Sequence, residues 1–199
     1  MKKLLPFFVL PLTVLAGCSA SASESALSWP LERAAFRATP LSFGLYVTPD
    51  PEQNPIDPPE RFTGYHVGTD FEITSGEQNA DVPVFAMCTG EVIYSGFAEG
   101  YGGLISQRCT IDDEPVVILY GHLLLSSLPE LKTTVVAGSK IALLAPAKSH
   151  DSDDNRKHLH LGIHKGTEPA FLGYVQSQTE LGDYMNARKV LKRWGVMAP

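Results

Sequence analysis

The sequence predicts a mainly β domain, an antiparallel sheet with short helices near the termini. Three observations carry this reading. Among 199 residues there are 17 Gly and 15 Pro, a little above their usual shares of about 7% and 5%, which favours turns and short strands over long helices. From residue 64 onward the chain runs in short apolar segments punctuated by Gly and Asp: 64–73, 82–97, 102–109, 115–123, 135–145 and 157–164. Runs of that length and spacing read as antiparallel strands. The length is enough for one packed domain and too short for two of ordinary size.

The elements follow in chain order. Lys2 and Lys3 precede an apolar stretch over 4–15, broken by Pro6 and Pro11, and Leu15-Ala16-Gly17 leads into Cys18. That stretch falls short of the roughly 20 apolar residues that span a bilayer, so 1–17 reads as a signal peptide. Leu-Ala-Gly-Cys resembles the bacterial lipobox, which implies lipidation of Cys18 and residence in the cell envelope, anchored to a membrane and facing the periplasm or wall. An ordinary secretory signal is the alternative.

Residues 18–40 are expected to form a lipidated tether and a short helix carrying Leu27, Trp29, Leu31, Ala34 and Ala35, with the main domain over 41–199. Five prolines between Pro49 and Pro59 exclude a regular element and imply an exposed loop. Leu181, Tyr184, Met185, Val190, Leu191 and Trp194 lie near helical spacing, so a helix is expected over 180–194.

Net charge is −6, and there is no basic stripe of the kind a nucleic-acid binder needs. Export changes the meaning of Cys88 and Cys109, an even pair once Cys18 is set aside. A disulfide is expected, worth roughly 3 kcal/mol for a loop of about twenty residues. Free thiols are the alternative, and without a Cys-x-x-Cys pair a Cys-ligated zinc is disfavoured.

Five of the six histidines fall in three strand-like segments. In Lys157-His158-Leu159-His160-Leu161-Gly162-Ile163-His164, alternation sends the aliphatic residues to one face and the histidines to the other. His158 and His160, about 6.6 Å apart along a strand, could share an ion, or one could bind it while the other faces whatever sits beside it. In Gly64-Tyr65-His66-Val67-Gly68-Thr69-Asp70-Phe71, a straight strand would hold His66 and Asp70 about 13 Å apart, so a shared metal requires a turn, for which Gly68 is available. The third segment, Val116 to Leu123, is an apolar strand ending in Gly121-His122.

The order His-x-x-x-Asp, then Tyr120-x-His122-Leu123, then His-x-His resembles the lysostaphin-like zinc endopeptidases of bacterial cell walls. The match extends over Val84-x-Ala86-x-x-x-Gly90-x-Val92, Tyr101-Gly102 and Val136-Ala137-Gly138-x-x-Ile141. The resemblance implies a duplicated-hybrid-motif fold with one zinc held in a groove by His66, Asp70 and His160. It implies His122 and His158 as catalytic residues, and a zinc-activated water that hydrolyses peptide bonds in peptidoglycan stem peptides or cross-bridges. Three ligands with one open position is the catalytic arrangement of zinc.

The polar loop from Ala145 to Lys157 departs from the family's glycine-rich lead and leaves the substrate open. Other readings are a non-catalytic module that binds wall peptides or regulates an amidase through the same groove, and a zinc peptidase acting on protein or free peptide. His150, His164, Tyr65 and Tyr120 read as structural, and Asp151 to Asp154 as a solvated loop, since the glycine and terminal glutamate of an EF-hand loop are missing.

Overall fold

Alternation along the apolar runs produces the sheets. The computed structural model describes residues 27–196; the expected signal peptide over 1–17, Cys18 and the expected tether over 19–26 lie outside the described residues. The strands are β1 (Tyr46–Val47), β2 (Gly64–His66), β3 (Gly68–Glu72), β4 (Pro83–Phe85), β5 (Gly90–Ala98), β6 (Gly102–Ile111), β7 (Glu114–Leu123), β8 (Thr134–Val135), β9 (Lys140–Leu143), β10 (His158–Lys165) and β11 (Tyr174–Val175). Six form a sheet in the order β3-β10-β7-β6-β5-β8, and the smaller sheets are β1-β2-β11 and β4-β9. All pairings are antiparallel, so the expected fold class is the observed one. The run over 82–97 divides between two sheets, as β4 and β5.

The two faces of the large sheet differ. Leu159, Leu161 and Ile163 of β10 join Phe71, Ile105, Ile118 and Tyr120 in the main core. Tyr101, Leu104 and Leu119 make a small cluster on the other side. Each Val, Leu, Ile, Phe or Met side chain fully buried in the main core contributes about 1.5–3 kcal/mol.

Two expected helices take other forms. Residues 27–40 yield only a 3₁₀ turn, Ala34–Phe36, because Pro30 interrupts a helix and the backbone bonds outward instead. Ser28 N donates to Met87 O, and Phe85 N to Pro30 O, both at 2.8 Å. Leu27, Trp29, Leu31 and Ala34 are thereby buried in the main core, so the packed unit starts at or before Leu27. At the other end the expected single helix is two, α1 (Gln178–Leu181) and α2 (Ala187–Arg193). The intervening backbone pairs with β10 instead, Met185 N donating to Ile163 O and Lys165 N to Asp183 O, each at 2.9 Å.

Cys88, after β4, and Cys109, on β6, form a disulfide with a Cα–Cα distance of 6.3 Å. Beside it the Tyr120 hydroxyl donates to Gln107 Oε1 and accepts from Met87 N, each at 2.8 Å, and Gln107 Nε2 donates to Cys88 O at 2.7 Å. Tyr120 is therefore committed to the core.

The N-terminal segment is also tied down by an ion pair. Arg37 donates from Nη1 and Nη2 to the two carboxylate oxygens of Glu77, at 2.6 and 2.7 Å. This pairing lowers the Glu77 carboxyl from 4.5 to about 2, so its stabilisation is complete above the ordinary glutamate value and is lost as pH falls through the folded one. Glu77→Gln is expected to lower Tm at pH 7, with the difference from wild type shrinking between pH 4.5 and about 2; a gap independent of pH would contradict this. The Cys88→Ser/Cys109→Ser double variant should lose roughly 3 kcal/mol in denaturant unfolding, and alkylation of the unreduced native protein should label neither sulfur.

Candidate active site

Four strands bring the site together: β2, β3, β7 and β10. On β10, His160 stands opposite Asp70 of β3 on one side and Gly121 of β7 on the other. His158 lies two residues earlier on the same face. His66 arrives by a change of sheet: β2 ends at His66, β3 begins at Gly68, and the two belong to different sheets. Val67 at the junction donates to Gly173 O at 3.0 Å. The break closes the separation a straight strand would impose, leaving His66 Nε2 3.3 Å from Asp70 Oδ1.

Gly68 proves necessary for space rather than for a turn. A Cβ there would sit 2.5 Å from Cε1 and Nε2 of His160. Gly121 clears the other flank, where a Cβ would meet Tyr101 at 2.5 Å and His160 Cβ at 3.3 Å.

His122 reaches the site through a β-bulge. Along β7, Ile118 and Tyr120 face the main core while Leu119 faces the other cluster, so strict alternation would send the residue at 122 into the core. The β6–β7 register instead shifts between Gly103 and Leu104, and His122 adopts φ 63°. An extra residue in one strand re-aims a side chain in this way, and Leu123 returns to the core.

The resulting geometry is compact. His66 Nε2 and His160 Nδ1 are 3.1 Å apart, and His160 Nδ1 is 3.0 Å from Asp70 Oδ1. His66 Nδ1 lies 3.4 Å from Ser42 O, which leaves its Nε2 turned toward His160 Nδ1 and Asp70 Oδ1. Bonds of 2.0–2.1 Å at tetrahedral angles would space zinc ligands about 3.3 Å apart, and the three observed separations of 3.0–3.3 Å fit such an ion. All three residues are buried.

Electrostatics match the ligand role. Burial, only partly opposed by Asp70, pushes His160 down to about 4, leaving a neutral imidazole at pH 7. Burial alone would raise Asp70, yet the charges of His158 and His66, with hydrogen bonds from His158 and His160, hold it well below the usual carboxylate range.

His122 and His158 lie alongside, their ring centroids 4.3 Å apart. His122 Nδ1 faces Ser152 O at 3.3 Å, and His158 Nδ1 faces Arg156 O at 3.0 Å. His158 Nε2 is 3.1 Å from Asp70 Oδ2. Burial, then the charge of His158, keep His122 well below the usual histidine value.

These side chains line a groove of about 490 Å³ whose walls include Glu60, Phe62, Asp153, Phe171 and Tyr174. The Tyr174 ring lies 5.2 Å from that of His66. The remaining candidates keep structural roles: His150 stacks on Phe97, His164 packs edge-on against Tyr184, and Tyr65 packs edge-on against Tyr46. Asp151 accepts from Leu125 N, and Asp153 accepts from Gly100 N while pairing with Arg61, so the acidic loop is spent on its own anchoring. Arg156, marked in the sequence only by its place in the atypical loop before His158, donates to Asp70 Oδ2 at 2.8 Å.

A family model described as Peptidase family M23 matches residues 64–171, more than half of the chain, and the chain belongs to that family. Searching curated proteins gives no match. Among solved structures, the catalytic domain of the antimicrobial peptidase lysostaphin from Staphylococcus simulans is 20% identical with a TM-score of 0.53, covering 80% of this chain and 95% of that one. The protein cbpa from L. salivarius REN is 18% identical with a TM-score of 0.51, covering 84% and 96%. Csd3 from Helicobacter pylori is 17% identical with a TM-score of 0.47, over 85% of this chain and 40% of that one. The first two likenesses establish a shared fold.

Gly68→Ala tests the packing around His160. The added methyl must displace the imidazole, at a cost of about 1–3 kcal/mol for overpacking, and zinc affinity measured by chelator competition should fall with it. Unchanged affinity would show that the ring position is not set there.

Proposed function

We propose that this member of Peptidase family M23 is a zinc-dependent endopeptidase that hydrolyses peptide bonds in peptidoglycan stem peptides or cross-bridges. The observation that carries the reading is the triangle of His66 Nε2, Asp70 Oδ1 and His160 Nδ1, with two further histidines beside it in one groove. A zinc ion held by those three atoms would supply a Lewis acid for the scissile carbonyl and lower the pKa of a coordinated water to about 7.

The chain's own residues do the remainder. With Nδ1–H donated to the Ser152 carbonyl, His122 is held in the tautomer whose Nε2 is a lone pair, suited to accept a proton. His158 faces acceptors with both ring nitrogens; carrying a proton on Nε2, it is suited to donate to the oxyanion or leaving amine. The walls hold an extended peptide and narrow its access to water, and the aromatic rings of Phe62 and Tyr174, stacked 5.4 Å apart, offer an apolar surface to it.

The substrate's place outside the cytoplasm agrees with the signal-like start of the chain. Lipidation at Cys18 would hold the enzyme at a membrane facing the periplasm or wall.

Digestion of purified wall material followed by mass spectrometry tests this reading. Zinc-loaded wild type is expected to release new peptide termini. His122→Ala and His158→Ala should each lose about 10²- to 10⁴-fold in rate while retaining zinc, and His160→Ala should lose both. Zinc bound with no new termini would replace the enzyme with a groove that only binds wall peptides.

A further inference from the structure

The least expected contact in the site is that of Arg156. Its Nη2 donates to Asp70 Oδ2 at 2.8 Å, its Nε and Nη2 to Glu72 Oε1 at 3.0 and 2.8 Å, and its Nη1 to Glu60 Oε1 at 2.8 Å. The Arg156 carbonyl also faces His158 Nδ1 at 3.0 Å. One residue thus contacts a carboxylate of the candidate ligand triangle through its side chain and an adjacent histidine through its backbone.

We propose that Arg156 is a positioning residue that commits Asp70 Oδ2, so that Asp70 offers Oδ1 alone to the ion and the His158 ring is held beside it. The inference rests on the zinc reading above. Asp70 and Glu60 side chains are 3% and 8% exposed, and buried carboxylates need paired, hydrogen-bonded cations. Asp70 and Glu72 project from the same face of β3, two residues apart, so their like charges need a shared counter-ion. A guanidinium reaches all three carboxylates because its donors fork in a plane; an ammonium is a point charge and does not.

The next residue secures the backbone from the other side. Lys157 Nζ donates to Ala80 O at 2.6 Å and Glu77 O at 3.0 Å, away from the groove. The lead into β10, polar where the family's is glycine-rich, is held by two cations pointing in opposite directions. Without Arg156, Asp70 Oδ2 keeps only the 3.1 Å contact with His158 Nε2 and is less restrained from turning toward the ion and raising its coordination number.

The test compares wild type with Arg156→Met, Arg156→Lys and Lys157→Met, measuring zinc affinity by chelator competition and the visible spectrum of the cobalt-loaded protein. Arg156→Met is expected to lose about 10- to 100-fold in zinc affinity, the usual effect of removing a partner of a metal ligand. Its cobalt bands should weaken as coordination rises. Arg156→Lys should recover the affinity only in part. Lys157→Met should lower Tm and leave the cobalt spectrum unchanged, which separates positioning from general stability. Wild-type affinity and spectrum in Arg156→Met would overturn the proposal, and should that variant fail to fold, a wild-type spectrum in Arg156→Lys would do so. Wild type that binds no zinc would overturn the zinc reading itself, and this inference with it.

Discussion

The structure is organised around a confrontation that ordinary packing avoids: one carboxylate and two imidazoles, all buried, with ligand atoms 3.0–3.3 Å apart. A buried carboxylate is costly unless paired, and a divalent cation held by Asp70 Oδ1, His66 Nε2 and His160 Nδ1 would pair it. The surrounding irregularities serve this cluster. The sheet change at Val67 delivers His66, missing side chains at Gly68 and Gly121 clear both flanks of His160, and the bulge at His122 turns a residue that alternation would bury toward the groove.

Rigidity has a second source in the polar segment before β10. Ser152, Asn155, Arg156 and Lys157 each bond to fixed backbone or carboxylate atoms. The polar loop before β10 therefore rests on named contacts. It also forms part of the groove wall through Asp153 and Asn155, so the segment that supports His158 borders whatever peptide the groove accepts.

What was legible in the sequence depended on the range of the interactions responsible. The alternation Leu159, Leu161, Ile163 against His158 and His160 is local, a period of two, and it gave both the strand and the face. That a metal shared by His66 and Asp70, as the family resemblance implies, would require a break in the strand between them was also legible. Its means was not, because the break at Val67 depends on β2 and β3 finding partners in separate sheets. The bulge at His122 depends on pairing with Gly103 and Leu104, and nothing in Tyr120-Gly121-His122-Leu123 announces a positive φ. Residues 27–37 enter the core through bonds to residues 85 and 87, and Arg156 meets partners 84 to 96 positions away. The expected C-terminal helix had the right apolar spacing, but pairing of Asp183 and Met185 with β10 breaks it.

X-ray absorption at the zinc edge of the loaded protein addresses the centre of this description most directly. Two nitrogens and one carboxylate oxygen from the protein should appear at about 2.0–2.2 Å, with one further light-atom ligand from solvent. A spectrum requiring sulfur ligands, or protein that retains no zinc after buffer exchange, would contradict it.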